Sequence, residues 1–124
     1  MNFKRTVLQN GLRVILIPQA DAVAATALVL VEAGSKYEPK RLNGLSHFLE
    51  HMCFKGTTKR PTALKISSEL DSLGAQYNAF TGQEYTGYYA KVPAKHLSKA
   101  LAIVSDLYLH PLFDKEEIEK EKGV

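Results

Sequence analysis

A single cysteine, Cys53, is all that this 124-residue chain carries. No disulfide framework can therefore hold it together, and a reducing compartment suits it. A long apolar run is missing as well: the longest nearly apolar stretch, Ala22 to Val31, falls far short of the ~20 residues that a membrane-spanning helix needs. Met1-Asn2-Phe3-Lys4-Arg5 leads into a polar, strand-like stretch, not into an apolar core with a small-residue cleavage site. No secretory signal is legible, no membrane is an expected partner, and the cytoplasm is the expected compartment. Charge of one sign is missing too. Lys and Arg number 16 against 13 Asp and Glu, a net charge of +3, with a pI near 9.0. These charges are spread along the whole length with no basic arm or stripe, so nucleic acid is not an expected partner either. There are no internal repeats and no low-complexity segments.

What is present is ordinary globular material. Hydrophobic residues make up 45% and charged residues 23%, close to the average for a soluble domain, which excludes disorder and fibres. The length allows one small domain. Val7-Leu8, Asn10-Gly11 and Leu12 to Ile17 predict a hairpin, because Asn and Gly both accept positive φ. Thr26 to Val31 reads as a buried strand and Gly34 to Gly44 as a loop. Leu45 to Phe54 has apolar residues at 45, 48, 49 and 52, the spacing of a helix. A second helix follows Thr62 as its cap, with Ala63, Ile66, Leu70 and Leu73 apolar and Gly74 placed to end it. Gln76 to Phe80 and Tyr85 to Val92 predict paired strands. A third helix is expected from near Pro93 to His110, with Leu97, Leu101, Val104 and Tyr108 on one stripe. Asp114 and Glu117 resemble a capping box opening a fourth helix that runs to Val124. Strands and helices are mixed without strict alternation, so the expected class is α+β, a mostly antiparallel sheet packed against helices.

Chemistry concentrates in His47-Phe48-Leu49-Glu50-His51. Two histidines four residues apart on a helix project from one face, one turn apart, where two ring nitrogens can reach one metal ion at about 2.0–2.1 Å. Glu50 leans over the same face and could accept a proton from water at the metal without being a ligand. This is the inverted zinc motif H-x-x-E-H.

The neighbouring residues extend the pattern. Gly44 to Thr57, with Phe54-Lys55-Gly56-Thr57 after the motif, resembles the signature of the pitrilysin family of zinc peptidases, the group of insulin-degrading enzyme and the mitochondrial processing peptidases. Gly74 to Thr81, followed by Glu84-Tyr85-Thr86 and Tyr88-Tyr89, is similar to a second family stretch. Phe113-Asp114 with Glu117 to Glu121 is similar to a third, and Leu8 to Val14 to the family's first strands. The resemblance covers essentially the whole chain in the right order. It implies that residues 1–124 are the N-terminal portion of a pitrilysin-like catalytic domain, with Zn2+ as cofactor. It further implies that His47 and His51 are zinc ligands and Glu50 the general base, and that Glu121 supports the site without binding the metal. Asn78, Ala79 and Phe80 would lie on a sheet edge that takes a substrate peptide as an added strand. The family's third ligand, a glutamate near position 128, falls outside these residues. The expected function is endopeptidase hydrolysis by the parent protein, with the 124-residue piece itself inactive. The alternative is a noncatalytic peptide-binding or assembly subunit of a heteromeric peptidase. Expected partners are a peptide or unfolded polypeptide, the remainder of the peptidase or a partner subunit, and further copies of the chain through exposed sheet edges.

Other residues read blandly. Cys53 is rotated away from His51 and is expected in the core. His96 and His110 are expected at the surface without a partner, and Tyr85, Tyr88 and Tyr89 in ordinary sheet packing. Lys115 to Lys122 is expected as a solvated helix face with pairs such as Glu116 with Lys120.

Overall fold

In a computed structural model of the chain, residues 2 to 123 are described. Strands β1 (Lys4–Val7) and β2 (Arg13–Leu16) form the antiparallel hairpin that Asn10-Gly11 predicts. Its turn is built differently from expectation. Only Gly11 takes positive φ, at 88°, while the Asn10 side chain accepts a 3.0 Å bond from the Leu12 N–H. Gly11 N–H also bonds Leu8 O at 2.9 Å, and Leu8 N–H bonds Leu12 O at 2.8 Å. That is a turn closed by a left-handed glycine rather than a two-residue mirror-image turn.

A second, three-stranded antiparallel sheet has the order β3-β5-β4, from β3 (Ala24–Val31), β4 (Gln76–Thr81) and β5 (Thr86–Pro93). Alternation along the strands sorts the two faces. Ala27, Tyr88, Ala90 and Val92 point to the buried side, with Tyr77 and Ala79 half-buried beside them. Leu28, Leu30 and Phe80 point outward and are exposed.

Helices α1 (Leu45–Cys53), α2 (Ala63–Ser72) and α3 (Leu97–Leu109) cover the inward face. Their contribution to the core is Cys53, Ile66, Leu70, Ala100, Ile103, Val104 and Leu107. The ends of α2 follow local chemistry. Thr62 Oγ1 accepts from Lys65 N–H at 3.0 Å. At the other end, Gly74 N–H bonds Asp71 O and Ala75 N–H bonds Leu70 O at 3.0 and 3.1 Å, the paired closure that a left-handed Gly74 at φ 68° permits.

Helix α3 corrects the expected stripe. A short 3₁₀ turn, Ala94–His96, precedes it. The residues it buries are Ala100, Ile103, Val104 and Leu107, whereas Leu97, Leu101 and Tyr108 are 40%, 52% and 40% exposed. On α1, likewise, Met52 and Cys53 are buried while Leu45 and Leu49 stay exposed. Helix α4 (Lys115–Lys122) ends at Gly123, and the expected continuation to Val124 lies outside the described residues. Only half of its capping box forms: Asp114 accepts from the Glu116 and Glu117 N–H groups, but Glu117 turns to Lys120 at 3.4 Å. Lys120 therefore pairs with Glu117, not with the expected Glu116. None of the helices in the described residues is long and apolar enough to cross a membrane.

Candidate metal centre

The site is assembled from α1, β4 and α4. Helix α1 has no side-chain cap of its own, because Gly44 stands at its N-cap. Glu38 substitutes from the preceding loop, its two carboxylate oxygens accepting Gly44 N–H at 2.9 Å and Ser46 N–H at 2.7 Å. Those two bonds, that to Ser46 contributing more, hold the Glu38 carboxyl below its ordinary pKa. The first turn of the helix, which carries His47, is secured in this way.

One turn further on, His51 stands beside His47 with ring centroids 4.3 Å apart and edge-on. Ligand-capable atoms of His47, Glu50 and His51 all lie within 4.8 Å of one another. Two imidazoles sharing a tetrahedral zinc at about 2.0–2.1 Å would have their nitrogens roughly 3.4 Å apart, so the observed spacing needs only small side-chain adjustment. Neutral imidazoles with a neighbouring carboxylate form a donor set that suits zinc.

Helix α4 places Glu121 against the back of this pair. His51 Nδ1–H donates to Glu121 Oε1, and Lys55 Nζ lies 3.5 Å from Glu121 Oε2. The bond from His51, aided by Lys55, draws the Glu121 carboxyl below its ordinary pKa against the opposing effect of burial. With Nδ1 so engaged, His51 has Nε2 left for a metal, the arrangement in which a carboxylate fixes the tautomer and ring orientation of a ligating histidine.

Asn78, Ala79 and Phe80 lie on β4, which pairs with β5 on one side and forms an edge of the sheet among the described residues. Ala79 N–H is held at 2.8 Å by the side chain of its own neighbour Asn78. A cleft of about 360 Å³ lies between this edge and the helices, lined by Glu50, His51, Phe54, Lys55, Tyr77 and Asn78 among others. The structure thus brings His47, Glu50, His51 and Glu121 together and sets Asn78 at the same cleft.

Three neighbours of the site escaped the sequence reading. Thr81 Oγ1 donates to Glu50 Oε2, Lys55 holds Glu121, and Glu38 caps α1. Lys55 and Thr81 lie inside the stretches that carry the family resemblance, but no local spacing gives either a role, and Glu38 lies outside those stretches. A fourth feature did leave a signal. His110 is not without a partner as expected: Asp106, four residues earlier on α3, has Oδ1 at 3.1 Å from its Nδ1. Asp106 also accepts from Thr57 at 2.6 Å and Arg60 at 2.7 Å, and Arg60 bonds Glu69 at 2.6 Å. This network ties the Lys55–Arg60 segment that follows α1 to α2 and α3. Cys53 is buried at 5% exposure, its Sγ 3.7 Å from the Tyr88 hydroxyl, as a core thiol should be.

An α+β domain carrying two histidines and a glutamate on one helix, backed by a second helix, presents a donor set that could hold a metal ion. The family model for insulinase, peptidase family M16, matches residues 13–124, and the chain belongs to that family. It is 44% identical over 121 residues to an uncharacterised zinc protease, YmxG, of Bacillus subtilis, covering 98% of this chain and 29% of that protein. It is 45% identical over 121 residues to the mitochondrial-processing peptidase subunit beta of Bos taurus, covering 96% of this chain and 24% of that one. The crystal structure of a protease from Helicobacter pylori superimposes with a TM-score of 0.92 at 25% identity, over 98% of this chain and 29% of that chain. The chain therefore spans under a third of the length of these relatives.

Proposed function

We propose that residues 1–124 are the N-terminal portion of the catalytic domain of a zinc endopeptidase, and that the parent protein hydrolyses peptides or unfolded polypeptides. The observation that carries this reading is the convergence of His47, Glu50 and His51 within 4.8 Å on one helix face, with Glu121 bonded behind His51. His47 and His51 would hold Zn2+, and Glu121 would orient His51. When bound, the metal supplies Lewis acidity at the scissile carbonyl and acidifies water near neutral pH. Glu50 accepts the proton of the attacking water and passes it to the leaving amine. Asn78, Ala79 and Phe80 offer an edge strand along which the peptide main chain is held in register. That a relative is named as a beta subunit supports a heteromeric assembly with a partner subunit. The exposed apolar residues of the β1–β2 hairpin, Val7, Ile15, Leu16 and Ile17, support self-association of the isolated chain. A clean monomer by light scattering would remove that last point.

Glu50→Gln tests the main reading. In the full-length protein it should keep zinc and lose peptide hydrolysis by about 100-fold or more, the scale on which a positioned general base acts. Retained turnover would refute the assignment. A zinc titration of the 124-residue chain against a competing chelator should show weak binding, since catalytic sites ordinarily hold the ion with three protein ligands.

A further inference from the structure

We propose that Thr81 is a positioning residue for Glu50: its hydroxyl holds one carboxylate oxygen and so fixes the direction in which the other faces. The proposal rests on Glu50 being the general base. Thr81 is the last residue of β4 and lies, half-buried, on the inward row with Tyr77 and Ala79. From there its Oγ1 donates to Glu50 Oε2.

A glutamate on a helix swings about three side-chain torsions, and a general base must meet its proton within about 2.6–3.2 Å. Anchoring one oxygen removes most of that freedom. The gain is in geometry, the oxygen being held where the proton must be met.

The anchor itself is rigid. Thr81 pairs with Thr86 in the ladder, and the turn beyond it closes through Gly82 N–H to Tyr85 O at 2.9 Å. Lys36 N–H bonds Gln83 O at 2.9 Å, and Thr86 Oγ1 bonds Ala33 O at 2.8 Å. Three elements therefore brace the strand end that carries the hydroxyl. The same strand carries Asn78 to Phe80, so a peptide added along β4 and the base that acts on it would be located from one piece of backbone.

A threonine kept here only for strand formation would be replaced without loss by valine, which has the same branching and volume but no hydroxyl. In the full-length protein, Thr81→Val is expected to lower kcat about 10- to 100-fold, the scale set by misplacing a catalytic group, with KM and bound zinc at wild-type values. Thr81→Ser should restore most of kcat. An unchanged kcat in Thr81→Val, beside an inactive Glu50→Gln, would overturn the proposal and leave the general-base reading standing. Zinc loss in Thr81→Val, or a serine variant as impaired as the valine one, would overturn it as well. An active Glu50→Gln would remove both ideas together.

Discussion

His51 and Glu121, 70 residues apart in the chain, meet through an imidazole N–H and a carboxylate oxygen. The contact links helix α1 to α4, and it decides which nitrogen of His51 remains available. On the proposed role of His51, removing the charge while keeping the shape, as in Glu121→Gln of the full-length protein, is expected to weaken zinc binding about 10- to 100-fold. Competition with a chromophoric chelator measures it. Wild-type affinity in that variant would show that Glu121 does not orient the ligand.

Asp106 is 6% exposed and accepts from Thr57 and Arg60. Asp106→Ala should destabilise the fold by about 3 kcal/mol, because it leaves a buried Thr57 hydroxyl and an Arg60 guanidinium short of a partner. Chemical denaturation of the two proteins gives the difference. A loss under about 1 kcal/mol would mean that Glu69 alone satisfies Arg60.

The same residue gives a pH dependence. Burial pushes the Asp106 carboxyl up, but the bonds from Thr57, Arg60 and His110 together outweigh it and leave its pKa below the ordinary value. A carboxyl whose pKa is lower folded than unfolded stabilises the fold fully above the unfolded value of about 4. That contribution is lost as pH falls through the folded value. Stability measured from pH 6 downward should therefore decline with a steeper slope in the wild type than in Asp106→Asn, where the carboxyl is gone. Parallel slopes would contradict the assignment.

Glu38 makes two bonds to the N-terminus of α1, and the helix has no other side-chain cap. Glu38→Ala is expected to lower the melting temperature and to weaken zinc binding, since His47 sits in the turn so secured. An unchanged melting temperature would show that water replaces the cap at no loss.

Burial raises the pKa of the Cys53 thiol, outweighing the opposing bond with Tyr88, and the side chain is 5% exposed. A disulfide reagent should therefore react slowly with the native chain and rapidly after denaturation. Fast reaction under native conditions would place Cys53 at the surface.

Local chemistry made much of this legible without coordinates. Thr62, Gly74 and Asp114 act as caps where they were expected to, because capping involves groups only a few residues apart. The hairpin at Asn10-Gly11 was legible for the same reason, though its turn type was not: Gly11 alone takes the left-handed conformation. Helix α3 resisted reading because it is apolar on more than one side. Leu97, Leu101 and Tyr108 form one stripe, and Ala100, Ile103, Val104 and Leu107 another. Only docking against β3 and β5 selects the second, where small and branched residues let the helix sit close to the sheet.

Helical periodicity by itself determined that His47, Glu50 and His51 share a face, because 3.6 residues per turn brings positions four apart together wherever the helix lies. It could not say what stands opposite. Glu121 behind His51, Thr81 beside Glu50 and Glu38 at the end of α1 reach the site from separate elements. Their positions depend on how the sheet and helices pack, and those distances exist only in the folded chain.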